Sequence, residues 1–280
     1  MRIRSRLFAV IACSTAFAGC TTQPAPEGLD NLATFLWERI EPADALQRGT
    51  QESEIRDAVV RLKEELDAIP VTFEDPFTGT LEDIDARLVA DLEGVGDRAD
   101  DIALAQGFAL ANLTTCGIDQ QVALVGSNRA MEIHPDVYES YEKEFDDDTD
   151  AFKAGDLEFM TWRTTYKLMP PPVGSAYSAK LRGAARRLDA TDTTGEIFIT
   201  RVHLLEPATF DGDGSSFDLD FQMEIYVNNG DDTLTHFYAM WRRMVLGPVD
   251  SSSELFIGQT LSGFLDFEKR VEAACADGTL

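Results

Sequence analysis

Apolar residues recur every three to four positions through the first third of the chain and every two positions through much of the last. That change of period predicts helices followed by a sheet. Leu32, Phe35, Leu36 and Ile40 form one helical stripe; Ile55, Val59, Leu62, Leu66 and Ile69 form a second that Pro70 ends; Leu81, Ile84, Leu88 and Leu92 form a third. A fourth helix is expected over Asp101–Leu113, where alanines and Gly107 suit close packing, and another near Pro135–Phe145. Further on, Phe217, Leu219, Phe221, Met223, Ile225 and Val227 alternate with Asp218, Asp220, Gln222, Glu224 and Tyr226, the mark of a half-buried strand. Asn229-Gly230 then signals a hairpin. With those two residues as the turn, Asn228 pairs with Asp231, setting Ile225 opposite Leu234, Met223 opposite His236, Phe221 opposite Tyr238 and Leu219 opposite Met240. His236, Tyr238, Met223 and Phe221 would then share one inward face. Other strands are expected at Phe159–Met169, Tyr177–Leu188 and Glu196–Leu205, separated by the Pro170-Pro171-Pro172 turn and the Asp189–Gly195 loop. A last helix is expected over Gln259–Ala276.

The expected fold class is α+β: an N-terminal acidic helical region, 29–125, followed over 126–280 by an antiparallel sheet of about five strands closed by a C-terminal helix. This order of elements resembles the helix-grip architecture of the START-like lipid- and polyketide-binding superfamily. The resemblance implies an apolar sheet face beneath the last helix.

The first residues carry a different signal. Arg2, Arg4 and Arg6 precede the apolar run Leu7–Phe17, which ends in Ala18-Gly19-Cys20. A basic start, a short apolar core and a small-residue junction describe a secretory leader, too short for a permanent membrane helix. With Cys20 at the junction, residues 1–19 resemble the lipobox leader of bacterial lipoproteins. The resemblance implies lipidation at Cys20, with fatty acyl chains such as palmitate holding the mature protein to a membrane. Several buried chains give firm anchoring, each CH₂ contributing about 0.8 kcal/mol. Thr21 and Thr22, rather than Asp, follow the cysteine, which by analogy with enteric-type lipoproteins implies the outer membrane. Residues 20–28, with two prolines and a glycine, read as a tether.

Removing residues 1–19 takes away three arginines and no acid, so 21 basic residues face 50 acidic ones, a formal charge of −29. Such a surface repels phosphate backbones and anionic headgroups, which excludes nucleic-acid binding. The acidity is uneven: 33 acidic against 10 basic residues lie between Glu27 and Met160, and 17 against 11 beyond. The helical half is expected to be a solvated outer layer. Cys13 leaves with the leader and Cys20 carries lipid, so Cys116 and Cys275 remain. An exported pair invites a disulfide, closing a loop worth nominally about 5 kcal/mol; two buried thiols are the alternative.

Candidate chemistry is sparse. His134, His203 and His236 are too scattered for a zinc motif, so no metal site is expected. Asp211-Gly-Asp213-Gly-Ser215 begins like an EF-hand, but Ser216 and Gln222 stand where Gly and Glu are needed. Asp146-Asp147-Asp148-Thr149-Asp150 reads as a solvated charge run. The basic residues of the expected strands suit cross-strand pairing with Asp218, Asp220 and Glu224. No nucleophile elbow, phosphate loop or dinucleotide fingerprint occurs, and neither a catalytic residue nor a cofactor is expected. The sequence-based reading is a non-catalytic envelope lipoprotein holding a hydrophobic or amphipathic ligand against the sheet face that bears His236 and Tyr238. The alternative is a structural or assembly lipoprotein that binds another envelope protein through its helical region.

Overall fold

Helices α1 (Leu29–Arg39) and α2 (Arg48–Asp67) form where the apolar stripes place them, and those stripes are buried. They belong to a computed structural model that describes residues 22–69, 71–72, 75–96, 98–170, 175–212, 214–246 and 254–279. The leader, Cys20, Pro70, Pro171, Pro172 and Asp213 lie outside the described residues. Among the described residues no helix is long and apolar enough to cross a membrane.

The remainder of the expected helical region is mixed. Leu81 ends strand β1 (Phe77–Leu81), Leu88 lies in a 3₁₀ turn (Ala86–Leu88), and a short α3 (Ala99–Ile102) leads into strand β2 (Gln106–Thr114). The helix expected over Asp101–Leu113 is therefore corrected to a strand. Phe108 to Leu110 and their neighbours are buried on both faces of the sheet, which erases the alternation that would have marked them as extended. Gly107 does allow a close approach, though to the neighbouring strand: a Cβ there would sit 2.7 Å from the Leu81 carbonyl oxygen.

Short helices α4 (Ile118–Val125) and α5 (Ala130–Ile133) precede β3 (Tyr138–Phe145), the second helix corrected to a strand. A bulge between Tyr138 and Ser140 sets Tyr141 three positions after Tyr138 rather than two, imitating a helical interval. Helix α6 (Thr149–Ala154), N-capped by the Asp148 carboxylate, leads to β4 (Phe159–Leu168), β5 (Tyr177–Leu188), β6 (Ile197–Leu204), the two-residue β7 (Thr209–Phe210), β8 (Ser215–Asn228) and β9 (Leu234–Leu246). Helix α7 (Glu254–Ala276) completes the described chain.

Among the described residues the sheet has nine strands rather than about five. Its order is β1-β2-β9-β8-β6-β5-β4-β3, with β7 beside β5, every pairing antiparallel, and it is not closed into a barrel. The β8–β9 register differs from the expected one by three residues. Residues 229–233 form the connection, so Asn228 pairs with Leu234, Ile225 with Phe237, Met223 with Ala239 and Phe221 with Trp241. Local polar bonds explain the longer loop: the Gly230 amide donates to Asn228 Oδ1 at 2.7 Å, and the Asn229 amide to the Thr233 carbonyl at 3.0 Å. Gly230 at φ 82° and Asp232 at φ 62° supply the left-handed turns.

A shift by an odd number exchanges faces. Phe221, Met223, Ile225, Phe237, Ala239 and Trp241 face α1 and α2, forming the main core with Leu36, Trp37, Ile55 and Leu62. The opposite face, carrying Glu224, Tyr226, His236 and Tyr238, is turned toward α4 to α7. Helix α7 is fastened there by the Cys116–Cys275 disulfide, Cα atoms 5.5 Å apart. Glu272 reinforces it, accepting from the Thr115 amide at 3.1 Å, from Thr115 Oγ1 at 2.8 Å and from the Thr114 hydroxyl.

Candidate functional site

Between α7 and the second face of the sheet lies a cavity of about 370 Å³. Aromatic groups form much of its wall: Tyr138 and Tyr141 from β3, Trp162 and Tyr166 from β4, Tyr177 from β5, and Phe264 and Phe267 from α7. Gly183 makes room for one of them. A Cβ at that position would lie 2.1 Å from the Trp162 indole, so only glycine lets the ring lie on β5 and form part of the wall.

Polar groups are grouped rather than scattered. On β8 and β9 the His236 imidazole stacks on Tyr226, centroids 4.2 Å apart and planes 2° from parallel. His236 Nδ1 lies 3.0 Å from Asn112 Oδ1 and 3.3 Å from Glu268 Oε2 on α7, whereas Nε2 is buried without a partner. Burial opposes the imidazolium, but the charge and hydrogen bond of Glu268, with Glu224 beyond, outweigh it and raise the pKa. The Tyr226 hydroxyl donates to Glu224 Oε2 at 3.0 Å. Burial raises the Glu224 pKa, the nearby imidazolium opposes that, and the Glu268 charge reinforces it. Arg242 holds Asp220 through two 3.0 Å bonds, Nε to Oδ1 and Nη2 to Oδ2.

Lys143 enters from β3. Its Nζ donates to the Val125 carbonyl at 2.8 Å and lies 5.1 Å from the Trp162 ring centroid. Burial lowers its pKa to about 7, with Glu224 pulling weakly the other way. Lys143 and Glu224 keep partial exposure because they border the cavity, while dense protein surrounds them. On the other side, His134 packs against Phe267 at 4.4 Å, and burial pushes its pKa down to about 4, with Arg270 adding to the shift.

His236 and Tyr238 thus line the cavity, but Phe221 and Met223 do not. The two-residue turn put all four on one face; the five-residue loop sends Phe221 and Met223 to the α1–α2 core, where both are fully buried. Lys143, Tyr226 and Glu268 were not singled out by the sequence pattern, and Glu224 was read there only as a cross-strand partner for basic residues. A lysine between Tyr141 and Phe145 in an acidic stretch was a readable signal, hidden by the bulge.

The other sequence candidates have structural occupations. Asp146 pairs with Arg182, Asp147 accepts from the Thr161 amide at 2.8 Å, and Asp148 caps α6, so this charge run ties β4 and β5 to the loop before α6. His203 lies on β6 with Nε2 donating to the Glu93 carbonyl at 3.1 Å, away from the cavity.

The arrangement offers an aromatic and aliphatic enclosure with Lys143, Glu224, His236 and Glu268 on its wall and the Arg242–Asp220 pair further along β8 and β9. It can take up a molecule with an apolar body and a polar head.

No protein-family model matches the chain, and no curated protein matches it. Among solved structures it is similar to a STAR-related lipid transfer protein from Xanthomonas axonopodis, at 14% identity over 61% of this chain and 86% of that one, with a TM-score of 0.41. The lipid transfer and protein localization domain of human StarD13 is 8% identical over 77% of this chain and 95% of its own, with a TM-score of 0.38. Norcoclaurine synthase from Thalictrum flavum is 10% identical over 63% and 97%, with a TM-score of 0.35. At these identities and scores the likenesses decide neither the fold nor a ligand of this chain.

Proposed function

We propose that this chain is a bacterial envelope lipoprotein, held to the outer membrane through acylated Cys20, whose folded body holds a small amphipathic ligand without transforming it. The observation that carries the ligand reading is the cavity beneath α7. Its 370 Å³ falls at the lower end of the roughly 300–1,000 Å³ of small-molecule sites. A single short chain or a ring system matches that size. The anchoring reading is supported by the leader residues ending at Cys20.

The reading of the helical region as a surface for another envelope protein has less support. The apolar stripes of α1 and α2 are consumed by the protein's own sheet.

Native mass spectrometry of residues 22–280, which hold every described element, tests the ligand reading after mild purification. A stoichiometric adduct that disappears under denaturing conditions is the expected result. A clean apo mass, together with no uptake of single-chain amphiphiles at micromolar concentration, would sink it. Metabolic labelling with a fatty acid separately tests the anchor: label should enter the full chain and be lost from Cys20→Ala.

A further inference from the structure

Among the described residues that border the cavity, one cation lacks a carboxylate partner. Arg242 is neutralised by Asp220, and His236 lies beside Glu268. Elsewhere among the described residues Lys153, Lys167, Lys180 and Lys269 each lie within 4 Å of a carboxylate, and Lys63 donates to Asn229 Oδ1. Lys143 has no carboxylate in that range, in a chain of 50 acidic and 24 basic residues. Its single hydrogen bond, to the Val125 carbonyl, leaves two of the three ammonium donors unused. The rings of Trp162, Phe145 and Tyr141 lie 5.1, 5.7 and 6.0 Å from Nζ. They favour a cation there but accept no conventional hydrogen bond.

We propose that Lys143 is the anchor for the head group of the cavity's ligand, and that this head group is a carboxylate on a single-chain or single-ring amphiphile. The inference rests on the reading of the cavity as a ligand site and adds the class of ligand. A carboxylate supplies the missing counter-charge and accepts the unused N–H groups. Glu224 borders the same cavity, but it accepts from the Tyr226 hydroxyl at 3.0 Å and lies beyond 4 Å of Nζ, so it does not occupy the unused donors. A phosphate dianion fits less well: among the described residues the one arginine bordering the cavity is already forked onto Asp220, leaving one lysine against two charges.

The groups facing Lys143 define its titration. Burial and Glu224 on β8 set it near neutrality, with Tyr141 beside it on β3. His236 and Glu268 border the same cavity from β9 and α7, and His134 from α5. An anion bound at Nζ raises the Lys143 pKa, so by linkage binding takes up a proton above about pH 7 and weakens as pH rises.

The test is titration calorimetry of residues 22–280 with decanoate and with 1-decanol, both below the concentrations at which they aggregate, at pH 6 and pH 8. Decanoate should bind at least about tenfold more tightly than decanol at pH 6, the worth of one charge-assisted hydrogen bond. Its affinity should fall about tenfold by pH 8, with close to one proton taken up there when buffers of different ionisation enthalpy are compared. Lys143→Met should bind both alike; Lys143→Arg should keep the preference and lose the pH dependence, since guanidinium does not titrate. Equal binding of the two probes by the unaltered chain, or a preference surviving in Lys143→Met, would overturn the inference and leave the carrier reading standing. A pH dependence surviving in Lys143→Arg would assign the titration to His236 and overturn it too. Binding of neither probe would remove the ligand reading itself. Proton uptake by the unaltered chain keeps the test valid if a variant fails to fold.

Discussion

At the scale of single residues, two positions make the sharpest demands. Gly183 carries no side chain because the Trp162 indole occupies the space, with three ring atoms within 2.5 Å of where a Cβ would be. Gly183→Ala should force the indole away from β5, costing about 1–3 kcal/mol as overpacking and lowering the melting temperature by several degrees. Decanoate affinity should fall as well, because the displaced ring is cavity wall. An unchanged melting curve would show that the ring has room to yield. His203 makes a different demand. Burial pushes its pKa down to about 4, Arg201 and Arg182 push the same way, and the bond to the Glu93 carbonyl opposes them. A base whose folded pKa lies below its unfolded value near 6.5 contributes stability that is complete above that value and is lost as pH falls toward 4. For a shift of this size the loss is on the order of 3 kcal/mol. His203→Gln keeps an N–H donor without the titration, so its urea midpoint should decline less between pH 7 and pH 4.5 than that of the unaltered chain. Parallel declines would remove His203 from the acid sensitivity.

At the scale of elements, sequence pattern located most of the long helices and strands. Helices α1, α2 and α7 and strands β4, β5, β6, β8 and β9 all lie where their periods put them. It failed at β2, buried on both faces, and at β3, where a bulge disguised the period, and these two strands supply Leu110, Tyr138, Tyr141 and Lys143 to the cavity. It also failed in the β8–β9 register, because Asn229-Gly230 signals a turn without fixing its length. That error alone moved Phe221 and Met223 to the wrong face. The pairing of Cys116 with Cys275 was legible once the reading of residues 1–20 as a lipoprotein leader set Cys13 and Cys20 aside. Its consequence is specific to α7. Cys116→Ser with Cys275→Ser should lower stability by about 2–5 kcal/mol, the entropic value for a 159-residue separation lying near the top of that range. The Glu272 contacts with Thr114 and Thr115 would still hold one end of the helix, so binding should weaken rather than vanish. Urea unfolding with and without reductant measures the first effect. A midpoint indifferent to reductant would mean that the disulfide does not constrain the unfolded chain.

At the scale of the whole molecule, the acidic N-terminal part is structurally the outer cover of the sheet. Its apolar stripes face inward onto Phe221, Met223, Ile225, Phe237 and Trp241, leaving its carboxylates to water. The sheet is thus covered twice, by α1 and α2 on a solid core and by α4 to α7 around a cavity. This asymmetry separates stability from binding. Filling and hydrophobic burial on the first face can hold β8 and β9 in register while the second face leaves room for a ligand. A chain beginning at residue 104 would retain β2 to β9 and α7, with the disulfide and every residue lining the cavity, yet expose the whole first face to solvent. If the two faces belong to one cooperative unit, that chain should bind a hydrophobic dye, lose its near-ultraviolet circular dichroism and unfold without a sharp transition. If it instead unfolds cooperatively and binds decanoate as tightly as residues 22–280, the cavity layer is self-sufficient. The N-terminal helices would then be an added layer whose removal exposes a surface without costing the site its shape.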